Sequence, residues 1–230
     1  MNLLPDNDPN SVAAEPQDLF TGLAGIVFDF DGVLVDSVQV KSEAFASLYS
    51  EQDPAFRSEV VRHHLEHAGI SRHEKIRYFE ELRTGEVPED ADVVRLANAF
   101  ASLVKDRVIK APELPGASRA LTGLSARFPL FICSGTPEVE LQEIVAARGW
   151  SHHFAGVYGS PSTKVEILRR IVDGLGRAAG DVLMVGDSTT DSDAAHETGT
   201  RFLLVGDTRA ARSTHISHSV ASPAQLLDWL

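Results

Sequence analysis

The stretch LAGIVFDFDG, residues 23–32, decides the fold. It is an unbroken apolar run closed by two aspartates, one residue apart, and a glycine. A strand with one wet face alternates apolar and polar residues. An unbroken run of this length predicts a strand buried on both faces, as in a parallel sheet. Residues i and i+2 of an extended chain point to the same side, so Asp29 and Asp31 can both face a site beyond the strand, with the chain turning at Gly32.

The same texture returns downstream. PLFICSG (129–135), DVLMVGD (181–187) and RFLLVGD (201–207) read as buried strands, and AGVYGS (155–160) and a segment near ISHSV (216–220) as shorter ones. Helical patterns separate them: ASRALTGLSARF (117–128), PEVELQEIVAARG (137–149), TKVEILRRIVDGL (163–175) and DSDAAHETG (191–199), with AQLLDWL (224–230) as a terminal helix. Strands alternating with helices imply right-handed crossovers and an α/β, doubly wound, Rossmann-like parallel sheet. In such a sheet the ligand site lies beyond the C-terminal ends of the strands.

Between Asp36 and about Ala111 the pattern changes. Apolar residues recur at three-and-four spacing, interrupted at Pro54, Gly69, Gly85 and Pro88, which predicts about four amphipathic helices in succession. The domain plan is therefore a mobile N-terminal tail (1–20), a core assembled from 21–37 and 113–230, and a helical module (38–112) inserted after the first strand.

Composition narrows the function. At 230 residues and 43% hydrophobic content the chain can bury a core unaided. One cysteine, Cys133, rules out an intramolecular disulfide and points to a reducing, cytoplasmic setting. No stretch approaches the ~20 apolar residues needed to cross a bilayer, and the N-terminus has no signal-peptide pattern. A formal charge of −12 disfavours nucleic acid and anionic membranes as partners. If the substrate is an anion, something local must reverse that sign.

The strand ends supply the candidates. The first strand ends in Asp29 and Asp31, the second in Ser134, Gly135 and Thr136. Lys164 follows the third strand, and Asp187 with Asp191 follows the fourth. An isolated aspartate after a strand is usually a helix cap or turn former. Four on one rim repel by roughly 4 kcal/mol per close pair at 4 Å and an effective dielectric of 20, which calls for raised pKa values or a bound cation. Oxygen ligands around phosphate suit Mg²⁺. With Lys164, that ion would overturn the global charge and select a small phosphorylated metabolite. One carboxylate of the Asp29/Asp31 pair can attack phosphorus while the other serves as acid and base.

These residues carry a resemblance. DFDGVLVDS (29–37), Ser134 in CSGT, Lys164 in GSPSTK and GDSTTDSDAA (186–195) resemble, in order and spacing, the four motifs of haloacid dehalogenase-like hydrolases. The resemblance covers the core from about residue 22 to 230. It implies Asp29 as nucleophile and metal ligand, and Asp31 as general acid/base with its backbone carbonyl on the metal. Asp187 and Asp191 would be further ligands, and Ser134, the Gly135 amide and Lys164 would hold the phosphoryl group. Helices 38–112 take the place of the family's mobile cap. Gly69-Ile70-Ser71-Arg72 resembles a cap segment of β-phosphoglucomutases, which makes Arg72 a candidate substrate-reading residue and Lys75, one turn on, a second. A solvated basic face is the competing reading for both.

Other signals are weaker. His63 and His67 stand one turn apart but lack an obvious third zinc ligand. Gly174, Gly176 and Gly180 follow a helix, the reverse of a dinucleotide loop. The leading expectation is a Mg²⁺-dependent phosphatase working through a phosphoaspartate, with a phosphomutase as its nearest rival. Here Gly186-Asp187 replaces the Glu-Asp expected of such mutases. A receiver-like regulatory domain has similar residues but about half this length, and a non-catalytic phosphate-binding protein would not need the whole set.

Overall fold

Around a central strand, β1 (Gly25–Phe28), the computed structural model describes residues 19–206, 216 and 218–229. Residues 1–18 of the expected tail lie outside the described residues. Five further strands follow: β2 (Leu130–Pro137), β3 (Phe154–Ser160), β4 (Val182–Gly186), β5 (Arg201–Val205) and β6 (Ser219–Val220). They form one sheet in the order β3-β2-β1-β4-β5-β6, and every pairing is parallel. Winding runs outward from β1 to β3, then returns to β1's other side and runs out to β6. The reversal opens a crevice at the C-terminal ends of β1 and β4, the place where such sheets bind ligands.

The unbroken apolar runs have a direct physical cause. Ile26, Phe28, Ile132, Leu183, Val185 and Leu203 point into one core, while Val27, Cys133, Val182, Met184 and Leu204 point into another on the opposite face. Helices α5 (Ala117–Ser125) and α6 (Glu138–Ala147) cover the first face. Helices α7 (Lys164–Leu175) and α8 (Thr189–Thr198) cover the second. Both faces being covered leaves no strand position for a polar residue until the strand ends.

Between β1 and α5 stand the four helices of the insert: α1 (Val38–Leu48), α2 (Pro54–Glu66), α3 (Arg72–Thr84) and α4 (Asp90–Lys110). Their boundaries follow local chemistry. Asp53 accepts from the Ala55 and Phe56 amides with Pro54 at the first helical position, and Ser71 and Glu74 cap α3 reciprocally. Phe45 packs on Phe79 and Phe100 at centroid distances of 5.5 and 4.2 Å. All three rings are almost fully buried, so truncating one would cost about 3–5 kcal/mol.

Two elements differ from expectation. β2 continues past Gly135 to Pro137, but its register with β3 breaks between Cys133 and Pro137. Ser134, Gly135 and Thr136 thus occupy an irregular stretch, which aims side chains out of the ladder. The terminal segment Pro223–Trp229 is a 3₁₀ helix rather than an α-helix. It is short and held by packing, with Leu226 fully buried in the first core.

Candidate active site

Asp29 begins where β1 stops. Its amide donates to the Val185 carbonyl at 2.9 Å, which ties it to the end of β4. The side chain is buried, with Oδ1 accepting from the Phe30 amide at 2.6 Å and Oδ2 from Lys164 Nζ at 2.7 Å. Burial, only partly offset by Lys164 and reinforced by Asp191 and Asp31, raises its carboxyl to about 6.

Asp187 and Asp191 come from the end of β4 and the first turn of α8. Asp191 is fully buried; its Oδ1 accepts from Lys164 Nζ at 2.5 Å and its Oδ2 from the Ser188 hydroxyl at 2.6 Å. Asp187 reaches the site because Gly32 has no side chain: at φ +76°, a Cβ there would lie 2.0 Å from Asp187 Oδ2. Burial, and then the charges of Asp29 and Asp191, push the Asp187 carboxyl well above its ordinary value. Lys164, despite its burial, is pushed up by the two carboxylates it touches.

Asp29, Asp187 and Asp191 each present an oxygen within 4.8 Å of the others. One ammonium, bonded to Asp29 and Asp191, stands against three carboxylates, two buried and that of Asp187 half-buried; the cluster is short of positive charge, which adds to the rise that burial gives the carboxyls of Asp29 and Asp187. An oxygen-only donor set with this deficit fits a small hard cation such as Mg²⁺.

Asp31 lies apart from that cluster. Its carboxylate accepts from Lys41 Nζ, from the Ser37 hydroxyl at 2.5 Å and from the Thr136 hydroxyl at 3.3 Å. Burial acts to raise its carboxyl, but Lys41 and these hydrogen bonds outweigh burial and hold it below the usual range. Lys41 also donates to Thr136 at 2.8 Å, linking the two sides of the crevice. Ser134 is buried and accepts from the Thr136 amide at 3.2 Å. Gly135 lies under the helical insert: a Cβ there would meet the Gly69 carbonyl oxygen at 2.5 Å.

All ten residues singled out in the sequence adjoin this crevice, but not as one set. Asp29, Asp31, Ser134, Gly135, Thr136, Asp187, Arg72 and Lys75 line one cavity of about 70 Å³ between insert and core. Lys164 and Asp191 lie beside it and reach it through their bonds to Asp29 and to each other. The solvated reading of Arg72 and Lys75 is overturned, since both are buried. Arg72 donates to both carboxylate oxygens of Glu140 on α6, at 2.8 and 2.5 Å, and lies over the Phe100 ring. Its guanidinium is therefore bound to the core rather than held open for a phosphate. His63 is likewise buried, stacked between Tyr78 and His67.

Sequence reasoning missed Lys41, Ser37, His64 and Glu140. Val38, Lys41 and Phe45 all line the cavity, and their spacing of three and four residues places them on one helical face. A lysine interrupting an otherwise apolar face was the available signal for Lys41. Glu140 carried none, because its partner lies in a distant helix.

Residues 23–199 match the family model of the haloacid dehalogenase-like hydrolases. A phosphoglycolate phosphatase from Rhodospirillum rubrum is 30% identical over 76% of each chain. A 5'-nucleotidase from Pseudomonas aeruginosa is 28% identical over 88% of this chain and 95% of its own. Among solved structures, a β-phosphoglucomutase from Clostridium difficile superposes with a TM-score of 0.71 at 20% identity, covering 89% of this chain and 93% of the other.

Proposed function

Because the chain belongs to the haloacid dehalogenase-like hydrolases, we propose that it is a Mg²⁺-dependent phosphatase that cleaves a small phosphorylated metabolite through a phosphoaspartate on Asp29. The family and the named relatives make it a phosphatase acting on small phosphorylated substrates. One observation supports the finer reading above the rest: a buried strand-end carboxylate, Asp29, held by Lys164 inside a cluster of three acids.

The roles follow from placement. Asp29 attacks phosphorus, a P–O bond forms to its carboxylate, and the ester P–O bond breaks. The leaving oxygen needs a proton, and Asp31 is the group to deliver it, with Lys41 Nζ donating to the same carboxylate. Water then attacks the phosphoaspartate, losing its proton to Asp31 and releasing phosphate. Asp31, held below the usual carboxylate range, rests ionised: it takes the proton it delivers from the monoanionic phosphate of the bound substrate, and the proton it later gains from water leaves with the phosphate product. Ser134, Thr136, the Gly135 amide and Lys164 hold the phosphoryl oxygens. Asp29, Asp187, Asp191 and the Asp31 carbonyl would hold Mg²⁺, which when bound neutralises charge on the transferring group.

Helices 38–112 act as a cap that excludes water from the phosphoaspartate's first half-reaction. Gly186 supports hydrolysis over mutase chemistry, since any side chain there would strike Asp191, with a Cβ 2.3 Å from its Cβ. The single buried Cys133 suits a reducing cytoplasm, and among the described residues no helix is long and apolar enough to cross a membrane. The test is turnover of 4-nitrophenyl phosphate with and without excess EDTA. Chelation is expected to abolish turnover and Mg²⁺ to restore it; full turnover in EDTA overturns the reading.

A further inference from the structure

Three cations line the cavity between cap and core: Lys41, Arg72 and Lys75. Lys41 is paired with Asp31 and Arg72 with Glu140. Lys75 is as deeply buried, at 3% exposure, yet among the described residues no carboxylate forms an ion pair with it. Among the described residues its Nζ hydrogen-bonds the His64 ring Nδ1 at 2.8 Å and the His64 carbonyl at 3.2 Å. With Nδ1 as acceptor, the His64 ring is neutral and cannot balance the ammonium. A buried charge without a counter-charge is costly and is retained where a ligand supplies the partner.

Position identifies which part of the ligand that is. The transferring phosphoryl group belongs at Asp29, Ser134 and Lys164. Lys75 lines the same cavity as Asp31, which serves the leaving oxygen, and as Lys41, which is bonded to it. Lys75 therefore faces the leaving alcohol. Burial and the nearby Lys41 push its ammonium down to about 7; an anion beside it would reverse that push.

We propose that Lys75, oriented by His64, forms a second anion subsite, and that the substrate is a small phosphate ester whose alcohol portion carries a carboxylate. This deepens the phosphatase reading and rests on it. Phe45, Leu65 and Ile70 line the cavity with apolar surface, and Lys41 and Arg72 are already paired, so Lys75 is the lining cation left for the carboxylate.

The test compares 2-phosphoglycolate with its amide, 2-phosphoglycolamide, which has nearly the same shape and no second charge. Binding is measured by calorimetry with Mg²⁺ on Asp29→Asn protein, which needs no turnover and so can succeed even if the hydrolytic reading fails. The acid is expected to bind at least twentyfold more tightly than the amide. Adding Lys75→Met should reduce that preference to below threefold, while the melting temperature of the unliganded protein stays level or rises because an unpaired buried charge is gone. Equal binding of the two esters, a preference that survives Lys75→Met, or a drop in melting temperature of more than about 10 °C would overturn the subsite, the last by making Lys75 a structural residue.

Discussion

Asp29 and Asp187 are the residues on which the shortage of positive charge falls. Both carboxyls are raised, the first to about 6, chiefly by burial. A group raised in this way is most favourable when protonated, so its contribution to stability is present below its unfolded value and fades as pH climbs through about 6. At neutral pH both acids therefore destabilise the metal-free fold. Asp187→Asn is expected to raise the melting temperature of metal-free protein by a few degrees, and to remove the further increase that wild type shows on adding Mg²⁺. Differential scanning calorimetry in EDTA and in Mg²⁺ measures both; a destabilised Asp187→Asn in EDTA would contradict the electrostatic account. A ligand at a hundred times its Kd stabilises by about 2.7 kcal/mol, which sets the scale of the Mg²⁺ effect. These acids were legible in the sequence because each follows an apolar strand, where a buried sheet first admits a polar side chain. Lys41, Ser37 and His64 were not legible. They reach the crevice from helix faces, whose spacing gives a direction but no destination.

At the scale of elements, the helical insert, the proposed cap, is held to the core by contacts that no periodicity encodes. Arg72 on α3 grips Glu140 on α6, Lys105 on α4 pairs with Glu143, and the Thr190 hydroxyl donates to the Ala68 carbonyl. The first is nearly buried on both sides, with side-chain exposures of 6% and 12%, so removing one partner strands the other. Glu140→Ala is expected to cost up to about 3–5 kcal/mol if the cap remains closed. The cheaper response is for α3 to lift and let Arg72 reach water. Hydrogen exchange should then accelerate at least tenfold for amides of α3 while those of β1 keep their protection. Unchanged exchange in α3 would show that the pair does not hold the cap. The helices themselves were readable from their three-and-four spacing and from the Ser71–Glu74 capping box. Their closure on the core was not, because the pairing residues lie in separate segments and each looks like an ordinary surface charge.

For the whole molecule, the net charge of −12 suggests an acid-tolerant protein, since protonation relieves repulsion. The interior argues the other way. Burial, and next the charge of Lys75, hold His64 down at about 3. The unfolded chain therefore binds a proton at this residue from about pH 6.5 downward while the folded chain refuses it, so stability falls as pH drops through that window. Each such histidine contributes at most about 1.4 kcal/mol per pH unit. His64→Gln is expected to lose about 1–3 kcal/mol less than wild type between pH 7 and pH 4.5, read from urea denaturation in Mg²⁺ buffer. Parallel slopes for the two proteins would show that His64 takes up its proton without unfolding. The sheet order itself was legible only as a class: alternating strands and helices implied winding on both sides, but not which strand neighbours which.

Leu130 and Leu183, from distant parts of the chain, flank Ile26 on its two sides. During synthesis β1 therefore emerges early and waits without either neighbour while the cap helices are made. The acids of the ion cluster straddle the same gap, so a nascent chain can gather them only after α8 has left the ribosome. Affinity for the proposed divalent ion would thus arrive late in translation, once the strand and helix that bring Asp187 and Asp191 have been made.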